Sequence, residues 1–189
     1  MRIAVYSGSF DPLHIGHLAI LKFLSESADF DWTYLVVSPQ NPFKDREKAL
    51  SASSRLEAAK KALSRHPELK ASVEDIELSM TPPHYTIRTL DALREREPEN
   101  QFTLIVGADN LVRMNGWRSY QRLLSQYGLA VYPRPGYDMD ALVKSLRDEC
   151  SLIGIDYKIR KILAPQVDIS STQIREAGLR GESIDDLLM

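Results

Sequence analysis

The sequence has little cysteine, no long apolar run and no excess of either charge. Its single cysteine, Cys150, lies in no metal-binding or redox spacing among the 189 residues, which excludes an intramolecular disulfide framework and fits a reducing compartment. No segment has the pattern of a signal peptide, and none is apolar for long enough to span a bilayer. These absences predict a cytoplasmic protein that has no membrane partner.

Acidic and basic side chains are nearly balanced. Lys and Arg total 24 and Asp and Glu total 26, which gives a net charge of −2 and a pI near 6.1. This balance excludes the broad basic surface that neutralises nucleic-acid phosphates or anionic lipid. We therefore expect no nucleic-acid partner, and any anion that the protein binds should be small and held by a few local groups.

Apolar residues make up 43% of the chain, enough for one sizeable core, so we expect a single domain over residues 1–189. Strand-like and helix-like segments alternate along it. The predicted strands are 3–6, 34–37, 102–106, 128–132 and 157–163, and the predicted helices are 15–24, 51–64, 86–97 and one from about 171. This alternation predicts an α/β, Rossmann-like, doubly wound and mainly parallel sheet with helices on both faces.

A glycine loop and two histidines follow the first predicted strand. Residues 8–17 read Gly-Ser-Phe-Asp-Pro-Leu-His-Ile-Gly-His. Gly8 permits close approach of a ligand to the backbone, and the first N–H groups of the next helix attract phosphate. His14 and His17 are three residues apart at the helix start, so both can reach one anion. The alternative is that His14 only caps the helix and His17 only packs.

A second motif, Ile-Ser-Ser-Thr-Gln-Ile-Arg, occupies residues 169–175 after the last predicted strand. Its hydroxyl groups and free helix-start amides can bind phosphate, and Arg175 adds a permanent charge about one turn later. Taken alone, the segment is equally consistent with an ordinary capped helix.

Together, the two motifs resemble the paired signatures of the nucleotidyltransferase superfamily of adenylyl and cytidylyl transferases. Between them, the segments at 41–44, 85–86, 107–109, 117 and 134–136 are similar in order and spacing to those of bacterial nicotinate-nucleotide adenylyltransferases. The resemblance spans nearly the whole chain. It implies transfer of AMP from ATP to nicotinate mononucleotide, which gives deamido-NAD and pyrophosphate.

The resemblance also implies roles for individual residues. It assigns four residues to catalysis: His14, His17, Lys44 and Arg175. It assigns the ATP side to Gly8, Ser9, Phe10, His14, His17, Gly107, Asp109, Ile169, Ser170, Ser171, Thr172 and Arg175. It assigns the acceptor side to Lys44, Tyr85, Thr86, Trp117 and Arg134. From the residues alone, Asp109 could instead cap a helix and Trp117 could be a core side chain.

The chemistry of this reaction needs no strong base. A phosphate monoester has its second pKa near ~6, so the acceptor is largely a dianion at neutral pH, and catalysis consists of positioning and charge stabilisation. The sequence has no separate cluster of carboxylates at metal-ligand spacing. We therefore expect Mg²⁺ to be held mainly by ATP oxygens and water, with no dedicated protein metal site.

Two departures from the family pattern stand out. Phe43 replaces the usual histidine before Lys44 and cannot donate a hydrogen bond to substrate, and the chain ends at Met189, where relatives usually continue. We expect Phe43 to affect acceptor binding, and we expect the activity to survive the early chain end, with any consequence falling on fold stability or oligomerisation.

Several alternatives stay open. The acceptor could be nicotinamide mononucleotide or phosphopantetheine. The literal His-x-Gly-His also occurs in class I aminoacyl-tRNA synthetases, against which the short chain and balanced charge argue. A non-catalytic nucleotide-binding sensor is a further possibility, and monomer and homo-oligomer are both compatible with the sequence.

Overall fold

A single six-stranded sheet organises the chain. The computed structural model describes residues 1–39 and 51–189. The strands are β1 (Arg2–Gly8), β2 (Trp32–Val37), β3 (Ala71–Glu74), β4 (Gln101–Gly107), β5 (Leu129–Tyr132) and β6 (Ile159–Lys161). Every neighbouring pair is parallel, and the order is β3-β2-β1-β4-β5-β6. This is the strand order of a doubly wound dinucleotide-binding fold, which confirms the predicted fold class.

The helices of the described residues connect these strands. They are α1 (Ile15–Glu26), α2 (Ala52–Leu63), α3 (Ile76–Ser79), α4 (Thr86–Arg96), α5 (Ala108–Leu111), α6 (Tyr120–Arg122), α7 (Met139–Leu152) and α8 (Ser171–Leu179). A π-helical segment (Leu123–Tyr127) continues α6, and short 3-10 turns lie at Met114–Gly116 and Asp185–Leu187.

Alternation along the strands divides the core into two layers. In β1, Ile3 and Val5 face one layer, whereas Ala4 and Tyr6 face the other. The Ile3 layer packs against the apolar faces of α4 and α7, and the Ala4 layer packs against those of α1 and α2. Helices therefore cover both faces of the sheet and bury its central strands, whereas the edge strands β3 and β6 are partly exposed.

The winding direction reverses between β1 and β4. From β1 the chain passes to β2 and β3 on one side, and then crosses to β4, β5 and β6 on the other. Loops that leave adjacent strands in opposite directions open a crevice at the carboxyl edge of the sheet. Among residues 1–39 and 51–189, no helix combines the length and the apolar character that a bilayer crossing needs.

The sequence prediction missed strand β3, helix α7 and the short helices α3, α5 and α6. Strand β3 has only four residues, all half-buried at the edge of the sheet, so it carries no apolar run. Helix α7 has buried residues at Val143, Leu146 and Cys150, a helical spacing that could have been recognised. The predicted strand at 157–163 is shorter in the structure, where β6 covers Ile159–Lys161.

We predict that Gly128→Ala lowers the free energy of unfolding by about 3 kcal/mol. Gly128 leads into β5 with φ 83° and ψ 172°, a region that is nearly closed to other residues. An added Cβ would also lie 2.7 Å from the carbonyl oxygen of Lys158, the residue that enters β6. Urea unfolding monitored by circular dichroism measures the loss.

Gly136→Ala is the matched control. Gly136 also has a positive φ, 79°, but an added Cβ would meet no described atom within 4 Å. We expect this variant to lose about 1 kcal/mol, from backbone strain alone. Equal losses in the two variants would contradict a steric limit set by Lys158.

Candidate active site

A cavity of about 240 Å³ opens at the carboxyl ends of β1, β4 and β5, beside the reversal of winding. Open parallel sheets bind their ligands in this position. Most of the residues predicted for the ATP side line the cavity, and so does one that was predicted for the acceptor: Gly8, Ser9, Phe10, His14, His17, Asp109, Arg134, Ile169, Ser170, Ser171 and Thr172. The two motifs, which lie near opposite ends of the chain, thus form one cavity.

The loop after β1 is shaped by the buried Phe10 ring. Phe10 adopts a left-handed backbone conformation with φ 45°, and its ring is 4% exposed. A Cβ at Gly8 would lie 3.0 Å from that ring, so a glycine is needed where the ring folds back over the strand end. The ring also packs edge-on against His17, with centroids 5.1 Å apart. Phe10 therefore fixes both the loop and one imidazole.

The two histidines cap α1 and line the cavity at the same time. The Gly16 N–H donates to His14 Nδ1 at 3.2 Å, and the His14 N–H donates to His17 Nδ1, also at 3.2 Å. An Nδ1 that accepts a hydrogen bond leaves the proton of the neutral ring on Nε2. The ring centroids are 3.7 Å apart. The pair can therefore offer two adjacent Nε2–H donors to a phosphate.

His14 is a neutral donor at pH 7. Burial and, to a smaller extent, the positive charge of Arg134 together lower its pKa from 6.5 to about 4. His14 is only 4% exposed. His14 is therefore a hydrogen-bond donor without a net charge at neutral pH.

The second motif holds the loop of the first. Ser170 caps α8 and forms a reciprocal capping box with Gln173. The Ser171 hydroxyl donates to the Pro12 carbonyl at 3.1 Å, and Arg175 Nη1 donates to the Asp11 carbonyl at 2.5 Å. Arg175 therefore contacts the loop of the first motif, and it is not among the described residues that line the cavity.

Asp109 and Arg134 lie next to each other in the cavity wall. Arg134 Nε lies 3.5 Å from Asp109 Oδ1. A Cβ at Gly107 would collide with that carboxylate oxygen and would lie 2.8 Å from Arg134 Cγ, so Gly107 makes room for the pair. Gly107, and not Asp109, is the N-cap residue of α5, and no side chain caps this helix. Asp109 therefore does not have the alternative helix-cap role at α5.

The predicted acceptor residues other than Arg134 lie outside the cavity lining. Tyr85 is the N-cap residue of α4, makes no side-chain capping bond and is 43% exposed, and Thr86 begins that helix. Trp117 follows a turn after α5 and packs, half-buried, against the core layer that contains Ile87. These residues follow the carboxyl ends of β3 and β4, on the same edge of the sheet as the cavity. Lys44 lies outside the described residues.

Sequence reasoning missed two tyrosines in the cavity wall. Tyr6 and Tyr132 line it with ring centroids 6.1 Å apart, and Tyr6 lies 6.1 Å from the His17 ring. Burial raises the pKa of Tyr6 well above 10, and the Tyr132 hydroxyl raises it further. Each tyrosine lies two residues before a predicted site residue, Gly8 or Arg134. The alternation of strand side chains could therefore have indicated them.

Comparison with known proteins identifies a matching family. A family model described as cytidylyltransferase-like matches residues 5–177. A protein of Cytophaga hutchinsonii named "probable nicotinate-nucleotide adenylyltransferase" is 37% identical over 97% of this chain and 89% of its own length. A protein of the same name from Flavobacterium johnsoniae is 37% identical over 100% of this chain and 92% of its own.

Solved structures share the fold. The nicotinic acid mononucleotide adenylyltransferase of Plasmodium falciparum, complexed with NaAD, matches with a TM-score of 0.77 at 19% identity, over 98% of this chain and 87% of its own. The same enzyme complexed with APC matches with a TM-score of 0.75 at 19% identity and the same coverage. At this identity the match supports the common architecture of the chains and nothing finer.

We predict that acid destabilises the wild type more than a His14→Asn variant. Because the pKa of His14 is 6.5 when unfolded and about 4 when folded, the stability that its neutral form contributes is complete above pH 6.5 and is lost as the pH falls towards 4. Asparagine keeps a side-chain acceptor at the N-cap but does not titrate. Between pH 7 and pH 5, the wild type should lose about 1–2 kcal/mol more than the variant.

Urea unfolding of both proteins at each pH measures this difference. Other titrating groups are common to the two proteins and cancel in the comparison. Parallel pH profiles for the wild type and His14→Asn would contradict the neutral state of His14.

Proposed function

The chain belongs to the cytidylyltransferase-like family, and from this premise we propose that it transfers the adenylyl group of ATP to nicotinate mononucleotide. The products are deamido-NAD and pyrophosphate, in the biosynthesis of NAD. The near full-length similarity to nicotinate-nucleotide adenylyltransferases supports this substrate pair. The observation that best supports this reaction is the cavity, which is lined by residues of both signature motifs.

The reaction requires two polyanions to approach each other. The acceptor phosphate is already nucleophilic, because its second pKa is near ~6. One of its oxygens forms a bond to the α-phosphorus of ATP, while the bond between that phosphorus and the oxygen that bridges the α- and β-phosphates breaks. The electron pair of the broken bond leaves with pyrophosphate. The protein therefore has to position the phosphates and stabilise negative charge, and no covalent nucleophile is needed.

The cavity wall supplies groups of this kind. Helices α1 and α8 both begin there, so their N-terminal amides present the positive ends of two helix dipoles. The Nε2–H groups of His14 and His17 add donors for the oxygens of the α-phosphate, where charge accumulates as the bond forms. Arg134 adds a positive charge to the cavity lining. We assign transition-state stabilisation to these groups.

Mg²⁺ enters this scheme as part of the MgATP substrate. Asp109 is the one carboxylate residue among the described lining residues, and the described part of the chain has no cluster of metal-binding side chains. This donor set fits an ion that is held mainly by phosphate oxygens and water. When bound, Mg²⁺ neutralises part of the triphosphate charge. The substrates of the enzyme, ATP and a mononucleotide, lead us to place it in the cytoplasm.

The acceptor would extend from the cavity towards α4 and Trp117. The exposed start of α4 offers the Tyr85 and Thr86 groups to the ring carboxylate, and the half-buried indole of Trp117 can stack on a pyridine ring. Lys44 keeps its proposed role on the acceptor side.

We predict pyrophosphate release when ATP is combined with nicotinate mononucleotide, and a lower kcat/KM with nicotinamide mononucleotide. A site that pairs a carboxylate leaves its donors unmatched when an amide takes that position. A coupled pyrophosphate assay with both mononucleotides, phosphopantetheine and CTP in place of ATP tests this order. His17→Ala is the control and should lower kcat/KM by about 10²-fold while the circular dichroism spectrum is unchanged.

The other outcomes assign other functions. Turnover with phosphopantetheine alone would move the chain to another acceptor class. Tight ATP binding without pyrophosphate from any acceptor would make it a sensor. Normal turnover of His17→Ala would remove that imidazole from the mechanism.

We predict that Trp117→Ala raises KM for the mononucleotide by about 10-fold or more and leaves KM for ATP nearly unchanged, because loss of ring stacking affects the acceptor alone. Trp32→Ala is a matched control. Both tryptophans are half-buried and pack against the same core layer, but Trp32 lies at the amino end of β2. If both variants change the two KM values equally, the role of Trp117 is packing.

A further inference from the structure

A buried arginine lies behind the loop after β1. Arg55, on α2, is only 4% exposed. Its Nη1 donates to the carbonyl oxygens of Ser9, at 2.5 Å, and Ser38, at 2.8 Å, and its Nη2 donates to that of Pro39 at 3.0 Å. Burial of a charge is costly unless hydrogen bonds compensate for it. These three bonds compensate Arg55 and join the loop of the first motif to the end of β2.

The contact with Ser9 fixes the orientation of one peptide group. The Ser9–Phe10 bond is trans, since the cis peptides are at Asp11–Pro12 and Pro82–Pro83. In a planar trans peptide, the C=O and N–H groups point in opposite directions. Because the Ser9 carbonyl points to Arg55, the Phe10 N–H points to the other side of the loop. Ser9 and Phe10 line the cavity, whereas Arg55 is not among its described lining residues.

This orientation needs support, because Phe10 has a positive φ of 45°. Non-glycine residues keep such a conformation only where their surroundings impose it. The Phe10 ring is held by its packing against His17, and the peptide before it is held by Arg55. A further bond, from the Ser38 N–H to the Gly8 carbonyl at 2.9 Å, fastens the strand end before the loop.

We propose that Arg55 is a positioning residue for adenylyl transfer: it holds the Ser9 carbonyl so that the Phe10 amide faces the phosphates of bound ATP. This inference rests on the proposed function. Arg55 remains charged although burial lowers its pKa, because the ordinary pKa of a guanidinium is far above neutrality and the Asp11 charge opposes the shift. A lysine would keep the charge but has no planar fork that reaches several carbonyls at once.

The competing role is purely structural. Arg55 could anchor α2 to the end of β2 through Ser38 and Pro39, with no influence on the phosphates. An anchor would affect the free energy of unfolding and leave the catalytic constants of the folded enzyme unchanged. A positioning residue would also change kcat/KM for ATP and the environment of one amide.

Two measurements on the full chain separate these roles. Selective ¹⁵N-phenylalanine labelling gives five amide signals, one for each phenylalanine, and a Phe10→Leu sample identifies the Phe10 signal. ATP with Mg²⁺ and no acceptor is the probe, so nothing turns over. We expect ATP to shift the Phe10 amide in the wild type, and we expect this shift to be lost in Arg55→Met.

Steady-state kinetics supply the second measurement. Arg55→Met should lower kcat/KM for ATP by about 10²-fold, the effect of losing one aligned backbone donor, and Arg55→Lys should recover about 10-fold of it. Arg147→Met is the matched control, because Arg147 also donates to a main-chain carbonyl, that of Ile159, but at the amino end of β6. It should change kcat/KM by less than about 3-fold, since it leaves the aligned donors in place.

The outcomes are distinct. If wild-type protein binds ATP and the Phe10 amide does not shift, the inference is wrong whether or not the variants fold. It is also wrong if Arg55→Lys, once folded, has wild-type kinetics and a wild-type shift. If wild-type protein binds no ATP, the proposed function itself fails, and the role of Arg55 fails with it.

Discussion

The central physical constraint is the need to present hydrogen-bond donors to phosphate from a loop whose carbonyl groups would repel it. In the structure, these carbonyl groups accept hydrogen bonds on the side of the loop that faces away from the cavity. The Ser9 carbonyl accepts a hydrogen bond from Arg55, the Pro12 carbonyl accepts one from Ser171, and the Asp11 carbonyl accepts one from Arg175. Because these carbonyl oxygens point away from the cavity, the amide and imidazole donors remain on the cavity side. The second motif is thus part of the architecture of the first.

The sheet topology brings these groups together. The first motif follows β1, and the second follows β6, at the far edge of the sheet. They meet because the chain beyond β6 returns across the carboxyl edge and begins α8 next to the loop at Asp11 and Pro12. The C-terminal segment returns to the same place, since Leu188 pairs with His14 in an isolated antiparallel bridge. Residues distant in sequence therefore support the same short loop.

The sequence predicted the fold class and about half of the cavity lining, because strand ends, glycines and helix caps are local signals. It did not predict β3, since a four-residue edge strand has no apolar run. It also could not reveal Arg55, since an arginine near the start of a helix has the pattern of a surface residue. Arg175 was predicted to face phosphate, but its contact with the Asp11 carbonyl depends on tertiary packing. Long-range contacts of this kind leave no local pattern.

The capping role and the proposed catalytic role of the histidines are linked by their protonation state. A proton on Nδ1 of either ring would remove the acceptor of a helix-start amide, and one of these amides belongs to His14 itself. The helix start thus favours neutral rings with the proton on Nε2, where it can be donated to a phosphate. Cations are supplied separately, by Arg134 in the wall. Helix capping, which the sequence offered as an alternative to function, is therefore the means by which the fold orients the donors.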